Sequence, residues 1–283
     1  MPVRTGRQGP RGGARALTYD AEHTAAFYDE YGEREWTRFE DGRNSPTSLA
    51  VHTHYLHRFV GPDDRVLDAG AGPGRFTIEL AQIGALVTVA DISPRQLELN
   101  REQVGAAGLE ERVTARVIAD VTDLSRFEDG EFDAVVCYGG PLSYVVEQAE
   151  AAVAELARVT RTGGHLLVSA MSLVGAVWHY LDLLLELVER DGAELTDEII
   201  RTGFLPEEDG YGHLPMRLFR WRELNELLAG HGEVVAASAA GLFKATPDEP
   251  QLRDLLTRLE LELGAEPGAI DGGEHMLAVV RVA

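Results

Sequence analysis

The 283 residues include one cysteine, Cys137, and one lysine, Lys244. A lone thiol closes no disulfide within the chain and supplies too few thiolates for an iron–sulfur cluster, so a cytoplasmic, reducing setting is expected. Lys244 belongs to no Gly-Lys-Ser or Gly-Lys-Thr triplet, which excludes a phosphate-binding loop. Positive charge is short throughout: Lys plus Arg number 26 against 47 Asp plus Glu, a formal net charge of −21. That balance repels phosphodiesters and argues against nucleic acid as a partner. No apolar run reaches about 18 residues, the length of a membrane span, and the N-terminus carries no signal-peptide core. With 45% hydrophobic residues the chain still has enough to bury a core.

Glycine is concentrated in one informative place. Arg65-Val66-Leu67-Asp68 reads as a short strand ending in an acid, Gly70, Gly72 and Gly74 follow at alternate positions, and Phe76-Thr77-Ile78-Glu79-Leu80-Ala81 returns to helical spacing. Glycine takes positive φ and has no Cβ, so a ligand can lie against the backbone at the N-terminus of the helix that follows. A dinucleotide fingerprint would need a further glycine at position 75, which is arginine.

Three more strand ends carry polar chemistry. Ala85–Ala90 runs into Asp91-Ile92-Ser93-Pro94, Val113–Ala119 into Asp120-Val121, and Phe132–Cys137 into Tyr138-Gly139-Gly140-Pro141. After a helix near 146–159, Arg161-Thr162-Gly163-Gly164 is expected to turn the chain into a fifth strand, His165–Ala170. Asp91 lies 17 residues beyond Gly74, close to the spacing that ribose binding uses. Acids at strand ends also cap helices, and that reading stands beside the binding one.

An acid before Gly-x-Gly-x-Gly, followed by acids at the next two strand ends, resembles the class I S-adenosylmethionine-dependent methyltransferases. The resemblance covers about residues 21–283. It implies an α/β fold: a doubly wound, Rossmann-like sheet of seven strands with a terminal antiparallel strand, here His275–Val282, an N-terminal helical cap and a lid insertion. It also implies S-adenosyl-L-methionine as cofactor, S-adenosyl-L-homocysteine as product and a small-molecule acceptor as partner. Asp68, Gly70, Gly72 and Gly74 would lie under the donor's amino acid portion, Asp91 with Ile92 at the ribose, Asp120 with Val121 at the adenine amino group, and Cys137 and Tyr138 beside the methyl. The stretch from Tyr28-Asp29 to Trp36-Thr37-Arg38 is similar to the cap of small-molecule members. There Tyr28 contacts the amino acid portion and Arg38 pairs with its carboxylate, unless Arg38 bridges to an acid on its own helix.

The expected layout is a disordered tail over 1–15, a helical cap over 16–64, the cofactor core over 65–170, a lid over 171–220 and the end of the core over 221–283. The tail has four arginines, four glycines, two prolines and no acid. Helices are expected over Ala21–Glu40, Thr47–Phe59, Leu173–Val188, Trp221–Ala229 and Glu249–Leu263, with a sixth strand over Glu233–Ser238. Between 189 and 220 a loop-rich stretch holds Phe204, Tyr211, His213, Met216 and Phe219, either a lid over a small substrate, plain packing or a homodimer face.

Methyl transfer needs alignment more than covalent help, and a base only where the acceptor loses a proton. His213, His179 and Tyr138 are the candidates. His52, His54 and His57 resemble a metal set, but only 54 and 57 share a helical face and no Cys or Glu completes them, so no metal is expected. An Asn/Asp-Pro-Pro-Tyr turn is absent, as is an acid after the fifth strand that would hold magnesium. Two other readings remain open: a nicotinamide-dependent oxidoreductase, which shares the glycine loop and the ribose acid, and a catalytically silent binding module.

Overall fold

The computed structural model describes residues 18–37, 46–207, 213–244 and 249–283. Helix α1 (Ala21–Tyr31) starts at Asp20, whose carboxylate accepts the His23 amide, and stops at Gly32; α2 (Arg34–Thr37) is a single turn, and α3 (Pro46–Phe59) leads to the sheet. The single helix expected over 21–40 thus breaks at Gly32, where φ of 53° carries the chain out of the helical region. Arg38, Phe39, Glu40 and the tail over 1–15 lie outside the described residues.

Strands and helices then alternate: β1 (Arg65–Ala69), α4 (Arg75–Ile83), β2 (Leu86–Asp91), α5 (Pro94–Ala106), β3 (Val113–Ile118), β4 (Phe132–Cys137), α6 (Pro141–Tyr144), α7 (Ala149–Val159) and β5 (Thr160–Met171). Next come α8 (Leu173–His179), α9 (Leu181–Asp191), α10 (Glu194–Thr202) and the two-residue strands β6 (Phe204–Leu205) and β7 (Met216–Arg217). The core closes with α11 (Trp221–Ala229), β8 (Gly232–Ala240), α12 (Pro250–Gly264) and β9 (His275–Val282).

The main sheet has seven strands in the order β3-β2-β1-β4-β5-β9-β8. Strands β1 to β5 run parallel, and β9 lies antiparallel between β5 and β8. Successive side chains on a strand point to opposite faces, so each strand feeds two cores. Leu67, Val135, Leu166 and Met276 meet α7 and α11 on one face; Val66, Val136, Leu167 and Leu277 meet α3 and α4 on the other. Each such side chain contributes about 1.5–3 kcal/mol on burial, which explains why the apolar runs fix the strands. A parallel sheet covered on both faces presents its ligand crevice at the carboxyl ends of its strands, where the order reverses between β1 and β4.

Beyond the core, the structure departs from expectation in three places. β5 begins at Thr160, and its pairing with β4 jumps from Phe132↔Thr160 to Ala134↔His165, so 161–164 form an irregularity inside the strand. Gly164 is needed there, because a Cβ would lie 2.5 Å from the Asp133 carbonyl oxygen. The helix expected over Leu173–Val188 breaks at Tyr180, where Lys244 donates to the His179 carbonyl and so satisfies the end of α8. The stretch read as loop holds α10 and the β6–β7 ribbon, and Leu173, Ile199, Met216 and Leu218 give it a small core of its own. Tyr211 lies outside the described residues. No helix among the described residues is long and apolar enough to cross a membrane.

Candidate functional site

A cleft opens at the carboxyl ends of β1, β2, β3 and β4, with residues of α1 and α2 over it. The glycine loop forms its floor. Gly72 N donates to Asp91 Oδ2 at 2.8 Å and Ser93 N to Oδ1 at 2.8 Å, so one carboxylate at the end of β2 holds both the loop and the start of α5. Burial pushes the Asp91 carboxyl up to about 6, against the pull of those two amides, and Glu35 and Asp29 raise it further.

The three glycines serve different purposes. Gly72 faces the cleft, and a Cβ there would meet nothing nearer than Glu35 Cγ at 3.7 Å. Gly70, at φ 71°, is pressed against Pro141, whose Cγ would lie 2.4 Å from a Cβ. Gly74 caps α4 and abuts Asn100, away from the lining.

Asp68 does not line the cleft either. It is buried beneath the loop, where it accepts from Thr77 Oγ1 at 2.6 Å; Thr77 in turn accepts from Asn100 Nδ2 at 2.9 Å, and Asn100 Oδ1 accepts from Arg116 Nε at 2.9 Å. Burial pushes the Asp68 carboxyl up to about 7. Cys137 is likewise buried in the core, its thiol raised to about 12 by burial.

At the other end of the cleft lie Ile92, Asp120 and Val121. Asp120 Oδ1 accepts the Thr122 amide at 2.8 Å, and Oδ2 accepts the hydroxyl of Tyr19 at 2.8 Å. Tyr19 is itself tied down through its amide to the Glu147 carboxylate at 2.9 Å. Burial and the Asp120 charge raise the Tyr19 hydroxyl far above its usual range.

Over the loop, Tyr28 lines the cleft and its ring meets Tyr144 edge-on at 5.9 Å. Arg75 lies 3.8 Å above the Trp36 ring and donates to the Trp36 carbonyl at 3.0 Å, tying α2 to the loop. Tyr138 lines the cleft and is buried, and its hydroxyl finds no hydrogen-bond partner among the described residues. His213 and His179 are elsewhere: His213 Nδ1 bonds to the Leu214 carbonyl at 3.0 Å and His179 Nε2 to the Gly272 carbonyl at 3.3 Å. Burial, with Lys244 beside it, lowers the basicity of His179. Arg38 lies outside the described residues.

Sequence reasoning missed Tyr19, Gln96 and Tyr144. Gln96 donates to the Tyr28 and Gly32 carbonyls, while its Oε1 is buried at the cleft with no partner among the described residues. Its place in the first turn of α5, five residues after Asp91, is a signal that could have found it.

The glycine loop, Asp91 and Asp120 thus lie around one crevice. Residues 66–164 match the family model described as a methyltransferase domain. This segment is a methyltransferase domain. Its surroundings agree in fold with solved methyltransferases: a chain from the complex of the Haloferax volcanii Trm112 methyltransferase activator with its methyltransferase, at TM-score 0.60 and 16% identity, covers 92% of this chain and 97% of its own length. An S-adenosylmethionine-dependent methyltransferase from Methanosarcina mazei, at TM-score 0.52 and 21% identity, covers 80% and 94%. The domain is also similar to the demethylmenaquinone methyltransferase of Mycobacterium marinum, 44% identical over 162 residues, which are 56% of this chain and 63% of that protein. The match thus spans less than two thirds of that relative's length.

Proposed function

We propose that the protein is a metal-independent, S-adenosylmethionine-dependent methyltransferase acting on a small-molecule acceptor by in-line displacement. The observation that carries this reading is the alignment of Gly72, Asp91 and Asp120 along one cleft, with the loop amide already held by the ribose-type acid. The residues fit the cofactor. Gly72 leaves its face of the loop open, and the buried Gln96 Oε1 offers an acceptor that only a ligand or water would fill. Asp91 and Gln96 would take the ribose side, Asp120 the adenine amino group, and the Gly72 loop with Tyr28 the amino acid portion. Bound there, the sulfonium supplies a methyl group on an excellent leaving group.

The chain's own work is to orient the two reactants and exclude water, and proximity of this kind can supply about 7–11 kcal/mol. Tyr28, Trp36 and Tyr144 close over the loop, while the segment 171–220 is the proposed lid. Nucleic acid is disfavoured as acceptor by the net charge of −21. The names of the mycobacterial relatives make a demethylated menaquinone the first acceptor to assay.

Calorimetry with S-adenosylmethionine, S-adenosylhomocysteine and NAD tests the reading, followed by transfer of radiolabelled methyl to a panel of acceptors. Micromolar binding of the first two and none of NAD is expected. Preference for NAD would overturn the cofactor assignment, and donor binding without transfer to any acceptor would leave a silent binding module.

A further inference from the structure

Past the cleft's methyl-facing end, three buried side chains from distant parts of the chain meet: His52 of α3, Tyr138 just after β4, and His275, the first residue of β9. The His52 ring lies 4.7 Å from the Tyr138 ring, edge-on, and 6.0 Å from the His275 ring. None of the three is more than 8% exposed. His52 Nδ1 bonds to the Ser48 carbonyl at 2.7 Å, which fixes its ring within the cluster. Among the described residues no three His, Cys, Asp or Glu side chains group to hold a metal ion, so proton handling is the chemistry this cluster suits.

The turn at Gly140 connects the cluster to the cleft. A Cβ on Gly140 would lie 3.3 Å from Met171 Cε, 3.5 Å from Tyr144 Cε2 and 4.0 Å from His275 Nε2, while its neighbours Gly139 and Pro141 both line the cleft. The Nε2 edge of His275 therefore faces the turn that borders the methyl-facing end. Aromatic walls stand beside it, in Tyr28 against Tyr144 and in Phe76 against Tyr138 at 5.2 Å. Flat walls of this kind select a flat ligand.

We infer that this is the acceptor end of the site: a planar molecule with a phenolic hydroxyl is held against Tyr28, Tyr144 and Met171, and His275 takes its proton, with His52 and Tyr138 as positioning residues. The inference rests on the methyl-transfer reading above. As the phenolic oxygen bonds to the methyl carbon, the carbon–sulfur bond breaks and its electron pair stays on sulfur, leaving a neutral thioether. The hydroxyl proton passes to the His275 imidazole, which becomes the imidazolium. An ammonium acceptor would seek a carboxylate, and the one adjoining this cluster, Glu274, accepts instead from the Tyr180 hydroxyl at 3.4 Å.

Other groups around His275 also bear on its pH response. His52 faces it from α3, with Tyr138 on the His52 ring and Tyr144 of α6 beside the same Gly140 turn. Glu274 precedes it, Tyr180 follows from the α8–α9 junction with Lys244 4.0 Å from its ring, and Glu260 of α12 accepts the Gly241 amide next to its β8 partner Ala240.

The test has two arms on the full chain, with His275→Gln, His52→Gln and Tyr138→Phe variants. Calorimetry with S-adenosylhomocysteine comes first, and His275→Gln and His52→Gln, which lie outside the cleft lining, should bind as the parent does; a parent that fails to bind it defeats the methyl-transfer reading itself. In the first arm the product-saturated protein is titrated with 4-nitrophenol, whose phenolate absorbs visibly. The parent should ionise the bound probe at a lower pH than free solution does, and His275→Gln should abolish that shift. In the second arm methyl transfer to catechol, 4-nitrophenol and 1,4-naphthohydroquinone is compared with transfer to aromatic amines. Transfer should favour a phenol, fall about a hundredfold or more in His275→Gln and lose its acid limb. His52→Gln and Tyr138→Phe should move that limb with smaller losses. If the donor product binds but the probe does not ionise, if transfer goes only to amines or to nothing, or if His275→Gln keeps the parent's pH profile, the inference is wrong.

Discussion

The two ends of the cleft are built in opposite ways. The proposed donor end draws mainly on residues between Gly70 and Val121, where β1, β2 and β3 each deliver a group at the carboxyl end, with Tyr19 and Tyr28 added from the N-terminal segment. The proposed acceptor end draws on positions 52, 138 and 275, which meet only because α3 packs on the sheet and β9 inserts beside β5. Local construction keeps the cofactor chemistry constant, whereas long-range construction lets the acceptor pocket change as helices and insertions change around an unaltered sheet.

Gly70→Ala strikes the joint between the two ends, because its Cβ would press on Pro141 at the start of the acceptor-side turn. Left-handed strain of about 1–2 kcal/mol plus overpacking of about 1–3 kcal/mol should lower the melting temperature by roughly 5–15 °C. An unchanged thermal transition would mean that the two ends are not mechanically linked there. Gly72→Ala, with open space before it, should cost less stability while weakening donor binding.

Asp68→Asn isolates the buried layer beneath the donor end. A carboxyl whose folded value is raised to about 7 stabilises the fold fully below its unfolded value near 4 and loses that contribution as pH climbs through 7. The parent should therefore lose up to a few kcal/mol between pH 4 and 8, and the variant should show a flatter curve in urea titrations across that range. Identical pH slopes in the two proteins would remove Asp68 from the account.

Asp91→Ala should leave the acceptor end intact and weaken S-adenosylhomocysteine binding at least tenfold, since a lost bond to a charged acceptor costs about 1.5–3 kcal/mol. On the proposed reading, ribose hydroxyls donate to the ionised carboxylate, so binding should tighten as pH rises through about 6. Calorimetry at pH 5 and 7.5 decides it, and equal affinities at both would separate Asp91 from the ribose.

The smallest effect is expected for Tyr19→Phe. Losing one hydroxyl from Asp120 should cost about 0.5–1.5 kcal/mol, seen as a two- to tenfold rise in the donor product's dissociation constant. No change would reduce Tyr19 to packing.

The same contrast explains what could be read from the residues alone. Trp221–Ala229 and His275–Val282 were expected as a helix and a strand and occur with those bounds, because apolar periodicity and turn residues are local signals. The acids at 91 and 120 were also visible, as single groups at strand ends. The break at Tyr180 was not, since it depends on Lys244 meeting the His179 carbonyl from 65 residues away. Nor was the meeting of His52 with Tyr138, which no spacing within α3 announces. His213 and His179 are candidates as histidines of the expected lid, and in each one ring nitrogen bonds to a nearby carbonyl.

The central place of β9 bears on how the chain is made. β9, the last strand of the sheet in sequence order, fills the gap between β5 and β8, with seven residues of β5 and eight of β8 paired to it. During translation those two strands leave the ribosome with open edges facing each other, and nothing made earlier can join them. Unpaired edges of this kind invite association with other chains. A nascent chain stalled before residue 275 should therefore be the species most dependent on chaperones, and emergence of residues 275–282 should be the event that ends the dependence.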